Sequence, residues 1–282
     1  MAGRALDTGH GHLHWHTEPG LLVGLILVLM LYGWAVRLWR HRDLPAKQRM
    51  TYGRAASFVF ALLVLYGAVA SPLDAIGEAY LFSAHMVQHM ILIYVVPVLF
   101  LLALPVWRLR PVMAVGAVSF ICRWLTHPVI ACLLFNLNFA VWHIPALYEW
   151  GLRDRAVHIL EHGMFMGTAV LMWWPLLSRL PEYPRLLPGL QVLYILGLAL
   201  GQIPVFAYVT FAAEVLYPTY ETAARLVPLT PLEDQQLGGI IMKAVSMGAL
   251  FAMLTLAFWR WYQTEQIQPM TQRDGETAFE FP

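Results

Sequence analysis

Seven apolar runs divide the chain, at roughly 20–39, 54–70, 84–104, 128–143, 158–177, 190–212 and 238–259. Each is close to the ~20 residues a helix needs to cross hydrocarbon, with the second and fourth the shortest. Runs of this kind read as helices, because only a helix or a closed barrel satisfies its own backbone in lipid. Residues 111–124 are less apolar and predict an amphipathic piece lying at the surface. Pro97, Pro175 and Pro204 fall inside apolar runs and predict kinks. The pattern therefore predicts an all-α fold, a polytopic membrane bundle of seven transmembrane helices. It divides into a polar His-rich segment at 1–19, the bundle at 20–260 and a polar tail at 261–282, expected to fray. No internal repeat or second domain is visible.

Composition fits that reading. Of 282 residues, 59% are hydrophobic and 12% are charged, about half the charge of a soluble domain. The net charge of +1 argues against nucleic acid as a partner. The first 19 residues lack the apolar stretch of a cleavable signal, so the first helix is expected to direct insertion. The basic residues set the orientation. Thirteen of them, including Arg37, Arg54, Arg110, Arg123, Arg179, Arg185 and Arg260, fall on one side. Arg4, Arg153, Arg155 and Arg225 fall on the other. The N-terminus is then outside and the C-terminus cytoplasmic. Asp74, Glu78, Glu149, Glu214, Glu221, Glu233 and Asp234 all belong to outer segments.

That topology gives meaning to five histidines. His85 and His89 begin the third run, His143 closes the fourth, and His158 and His162 begin the fifth, all at the outer side. Histidine in a membrane span is costly and points to function. The two i,i+4 pairs each place imidazoles on one helix face, where they can share a metal ion. Met86, Met90, Met164 and Met242 lie near the same mouth and offer soft thioether sulfur, either as ligands or as packing. Histidine with methionine, without thiolate, suits copper, with Cu(I) preferred and zinc the alternative. The two cysteines, Cys122 and Cys132, form no CxxC pair. Glu161 and Asp234 are candidates to ligate or to orient an imidazole, and Asp234 also suits the cap of the last helix. Lys243 in the last run is expected to snorkel outward or to meet an acid.

Other readings stay open. His158-x-x-Glu161-His162 has the spacing of inverted zinc metallopeptidases, in which the glutamate activates water. Two histidines from different helices could also hold haem b, or the cluster could be a structural hydrogen-bond network. The alternating His10, His12, His14 and His16 could capture metal outside and pass it inward, or bind it adventitiously.

Several stretches together carry a resemblance. Ser71-Pro-Leu-Asp74, Phe82-Ser-Ala-His-Met-Val-Gln-His-Met90, Trp142-His-Ile-Pro-Ala-Leu-Tyr148, Val157-His-Ile-Leu-Glu-His162, Trp173-Trp-Pro-Leu-Leu177 and residues 231–242 resemble the caa(3)-type cytochrome c oxidase assembly factor family, CtaG type. The resemblance covers about 20–260. It implies a seven-span protein of the bacterial plasma membrane that is not an enzyme and is needed to make an active haem–copper oxidase. It also implies copper delivery from the periplasmic side to an oxidase subunit, with a periplasmic donor, through His85, His89, His143, His158 and His162.

Overall fold

The computed structural model describes residues 15, 19–38, 51–104, 110, 113 and 115–276, and these are helical almost throughout. Helices α1 (Pro19–Leu38), α2 (Tyr52–Ala70) and α3 (Pro72–Ala79) come first. The third apolar run follows as α4 (Phe82–Met90), a π turn at Ile91–Val95 and α5 (Val96–Ala103). Next are α6 (Gly116–Leu125), α7 (Pro128–Trp142), α8 (Pro145–Arg153) and α9 (Arg155–Leu177). A two-stranded antiparallel ribbon joins β1 (Arg179–Leu180) to β2 (Tyr183–Pro184). The chain closes with α10 (Pro188–Gly201), α11 (Ile203–Thr210), the single turn α12 (Pro218–Glu221) and α13 (Pro231–Glu276).

All seven apolar runs are helical. Four stretches are long and apolar enough to cross a membrane: Tyr52–Ala70, Phe82–Ala103, Pro188–Thr210 and Pro231–Gln263. A fifth arises if α6 and α7, bent by 67° at their junction, count as one span. The other two expected spans fall short by composition or extent. In α1 the apolar stretch is Pro19–Trp34. In α9 the helix has 23 residues, but Glu161, His162 and two tryptophans dilute its hydropathy. The tail expected to fray continues as backbone helix to Glu276. The whole of α13 has 46 residues, about 69 Å at 1.5 Å per residue, more than twice the hydrocarbon thickness.

Lipid-facing surfaces are apolar. Leu63, Leu193 and Phe251 are each more than 60% exposed on helix faces turned away from the core, an arrangement that water would penalise and lipid does not. Polar groups fasten some of the helices to one another. Tyr32 donates to the carbonyl of Ala103 and Ser57 to that of Leu99, fastening α1 and α2 to α5.

Where a kink is expected at Pro97 the helix carries a π turn at Ile91–Val95, and its residues explain themselves. Proline has no N–H, so the carbonyl four residues earlier, that of Ile93, has no helical donor. The indole of Trp173 supplies one at 2.9 Å. The ladder widens here into the π turn, a common form of helix irregularity, and α9 is locked against the third run just beneath the histidines. At Pro204 the helical ladder is interrupted for one residue, Gln202, between α10 and α11. Gln202 bridges the break, giving an N–H to Leu198 and accepting from Tyr94.

Candidate metal centre

α4 and α9 begin at the same end of the bundle and run side by side. A step of four residues descends about 6 Å, so each i,i+4 pair spans one turn. The ring centroids show two rungs. His85 and His158 are 5.4 Å apart, and one turn deeper His89 and His162 are 5.2 Å apart. Within each helix the Nε2 atoms nearly touch, at 2.8 Å for His85 and His89 and 2.9 Å for His158 and His162. His143, at the end of α7, faces His89 with its ring centroid 6.4 Å away. His85, His89, His143, His158 and Glu161 are buried and His162 is half-buried.

The outward nitrogens are held by fixed acceptors. His143 donates from Nδ1 to the carbonyl of Phe139 at 2.6 Å. His158 directs Nδ1 at the carboxylate of Glu78 at 2.5 Å. His85 directs Nδ1 at the phenol oxygen of Tyr220 at 3.3 Å. That phenol spends its hydrogen on the carbonyl of Gly77 at 2.7 Å, and burial holds it well above its ordinary pKa. It therefore accepts from His85. A neutral imidazole that gives away Nδ1–H has its lone pair on Nε2, so these three rings present lone pairs inward.

A cation fits this arrangement. Two sets of donor atoms lie within 4.8 Å of one another: His85, His158 and His162, and His85, His89 and Glu161. Nε2 of His143, Nδ1 of His89 and both carboxylate oxygens of Glu161 are buried without a hydrogen-bond partner. Orphaned buried acceptors are rare in folded proteins, and a metal ion is one group that satisfies them. Imidazole with one carboxylate suits copper, zinc or iron.

The remaining sequence candidates have other surroundings. Met86, Met90 and Met242 are buried members of the central hydrophobic core. Asp234 neither joins a donor set nor caps its own helix. It accepts from the backbone N–H of Phe82 at 2.7 Å and from the hydroxyl of Ser83 at 2.5 Å, and so caps α4 from across the bundle. Lys243 meets no carboxylate among the described residues, and its ammonium lies 4.1 Å from the ring centre of Phe206. The alternating His10, His12, His14 and His16 lie outside the described residues.

Sequence reasoning missed Tyr148, Tyr220 and the partner of Glu78. Tyr148 and Tyr220 share a hydrogen bond at 2.9 Å. With Phe82 and Tyr217, whose rings stack at 4.9 Å, they roof the cluster. Glu149 anchors that roof by accepting from the backbone and hydroxyl of Thr219. Glu78 was legible as an outer acid. Its meeting with His158 depends on α3, which packs so closely on α4 that a Cβ on Gly77 would sit 3.0 Å from the backbone of His85.

Comparison with known proteins follows the same lines. The profile of the cytochrome c oxidase caa3 assembly factor family (Caa3_CtaG) matches residues 30–264. The chain is 28% identical over 240 residues to the uncharacterised protein Mb0105 of Mycobacterium bovis, covering 76% of this chain and 35% of that one. It is 26% identical over 246 residues to the uncharacterised protein ML1998 of Mycobacterium leprae, covering 78% and 35%. The matched region is thus about a third of the length of these relatives. No solved structure matches the chain.

Proposed function

The chain belongs to the cytochrome c oxidase caa3 assembly factor family, and on that premise we propose that it is a copper carrier for oxidase assembly, not an enzyme. Copper, as Cu(I), is its cargo. His85, His89, His158 and His162 hold the ion, with Glu161 beside them and His143 at the edge. The acceptor is a subunit of a haem–copper oxidase, and a periplasmic donor supplies the ion. The bundle crosses a bacterial plasma membrane seven times with the histidine end outside.

The observation that carries this reading is the buried gathering of imidazole nitrogens and a carboxylate from two helices, with unpartnered acceptor atoms on His89, on Glu161 and, from a third helix, on His143. Burial excludes competing water, and neutral imidazoles release copper by exchange with an acceptor's ligands without breaking any bond in the chain. The test is metal content by mass spectrometry on detergent-purified protein from copper-supplemented cells. A variant lacking His85, His89, His158 and His162 but keeping the N-terminal histidines should lose the copper. Copper retained in that variant would sink the reading.

One observation favours a second reading, an intramembrane zinc hydrolase. The carboxylate of Glu161 lies among the imidazoles with neither oxygen hydrogen-bonded and Oε1 3.6 Å from Nε2 of His89, where it could take a proton from water. Zinc in the purified protein, together with complete inactivation by Glu161→Gln, would put that reading first. In a copper carrier the same substitution should weaken copper binding without abolishing oxidase assembly.

A further inference from the structure

We infer that the cluster holds two metal positions in line, sharing His85, and that Glu78 is the positioning residue of the outer one. This rests on the metal-binding reading above and deepens it. The first donor set, His85 with His158 and His162, is all nitrogen. The second, His85 with His89 and Glu161, carries an oxygen. The sets share only His85. On α4 its partner His89 is one turn deeper, so the second set lies further from the mouth.

Exposure falls from Glu78 through His158 to the pair on α4, while His162 stays half-buried. The Glu78 side chain is 41% exposed and the His158 side chain 7%. His85 and His89 are fully buried. An arriving cation therefore meets a carboxylate first, then an all-imidazole position, then a position of mixed donors. Glu78 accepts from Nδ1 of His158 and so points Nε2 of that ring at the outer position, the carboxylate–histidine–metal arrangement that fixes tautomer and ring angle. Gly77 makes this possible, since any side chain there would push α3 and Glu78 away from α4. Two adjoining positions with a common ligand let an ion pass inward, or outward to an acceptor, without being free at any stage.

The test is anaerobic titration of the purified full chain with Cu(I) against a chromogenic chelator. His10, His12, His14 and His16 are replaced by alanine throughout, so that the N-terminal segment contributes nothing. The parent should bind one equivalent, because the single Nε2 lone pair of His85 serves one position at a time. His158→Ala should leave the inner position and His89→Ala the outer one, each still binding one equivalent, while His85→Ala should bind none. Glu78→Gln, added to His89→Ala, should keep that equivalent but weaken it about tenfold. Where an alanine variant does not elute as the parent does on size exclusion, His158→Gln or His89→Gln replaces it. A single equivalent abolished by any of the three histidine substitutions would establish one shared site and overturn the two-position inference while leaving the carrier reading intact. Unchanged affinity on adding Glu78→Gln to His89→Ala would remove the role of Glu78. No copper bound by the parent would remove the carrier reading and this inference with it.

Discussion

An imidazole presents a lone pair from one nitrogen at a time, so whatever holds Nδ1 decides what Nε2 offers. In this chain a backbone carbonyl, a carboxylate and a phenol hold three of the five rings. The phenol is the most informative, because Tyr220 links His85, Tyr148 and the carbonyl of Gly77 through one oxygen. Tyr220→Phe keeps the ring and its packing but removes that oxygen. It should destabilise the protein by about 1–3 kcal/mol, since buried partners lose their bonds. It should also weaken copper binding about tenfold or more by freeing the His85 ring. Thermal unfolding and chelator competition on one preparation separate the two effects. A lowered melting temperature with unchanged copper affinity would show that Tyr220 supports the fold without orienting His85.

Among the elements, α4 carries the first histidine pair but has no cap of its own, because Leu81 stands at its N-cap. The cap comes from Asp234, 152 residues away on α13. α13 can lend it because its own start is served by Thr230 and Glu233, whose side chains bond each other's backbone N–H groups. Asp234→Ala should therefore act on α4 rather than on α13. It leaves the N–H of Phe82 and the hydroxyl of Ser83 buried without partners, at a cost of about 1–3 kcal/mol. Asp234→Asn keeps one acceptor oxygen and should cost less. Hydrogen exchange resolved by segment is the check, with early opening expected at 82–90, and opening confined to 231–240 would refute it. This pair also marks how far the sequence was legible. The histidines could be read because i,i+4 spacing is local and imidazole is rare in apolar runs. The acidic start of α13 could be read too, but not its partner. Glu78, Tyr148 and Tyr220 come from α3, α8 and α12, short helices whose place is set by packing on distant residues such as Gly77 and Thr219. No periodicity in the chain encodes those contacts.

At the scale of the molecule the two ends differ in charge. Glu78, Glu149, Glu233 and Asp234 gather with the histidine pairs. At the other end Arg110 grips Glu182 at 2.6 Å and holds its carboxyl below the ordinary range. Basic loops stay with the cytoplasm, and a periplasmic copper carrier needs the histidine end outside. The orientation is open to direct measurement. With Cys122 and Cys132 replaced by serine, a cysteine at exposed Glu221 lies between the sixth and seventh runs, and one at exposed Arg179 between the fifth and sixth. A membrane-impermeant maleimide added to intact cells should label Glu221→Cys at once and Arg179→Cys only after the membrane is broken. The reverse result would turn the histidine end to the cytoplasm, where an ion would have to be loaded from inside. Equal labelling of both in intact cells would mean that Pro188–Thr210, whose ladder is interrupted at Gln202, does not cross the membrane. That would remove one crossing and separate α13 from the orientation on which outward delivery depends.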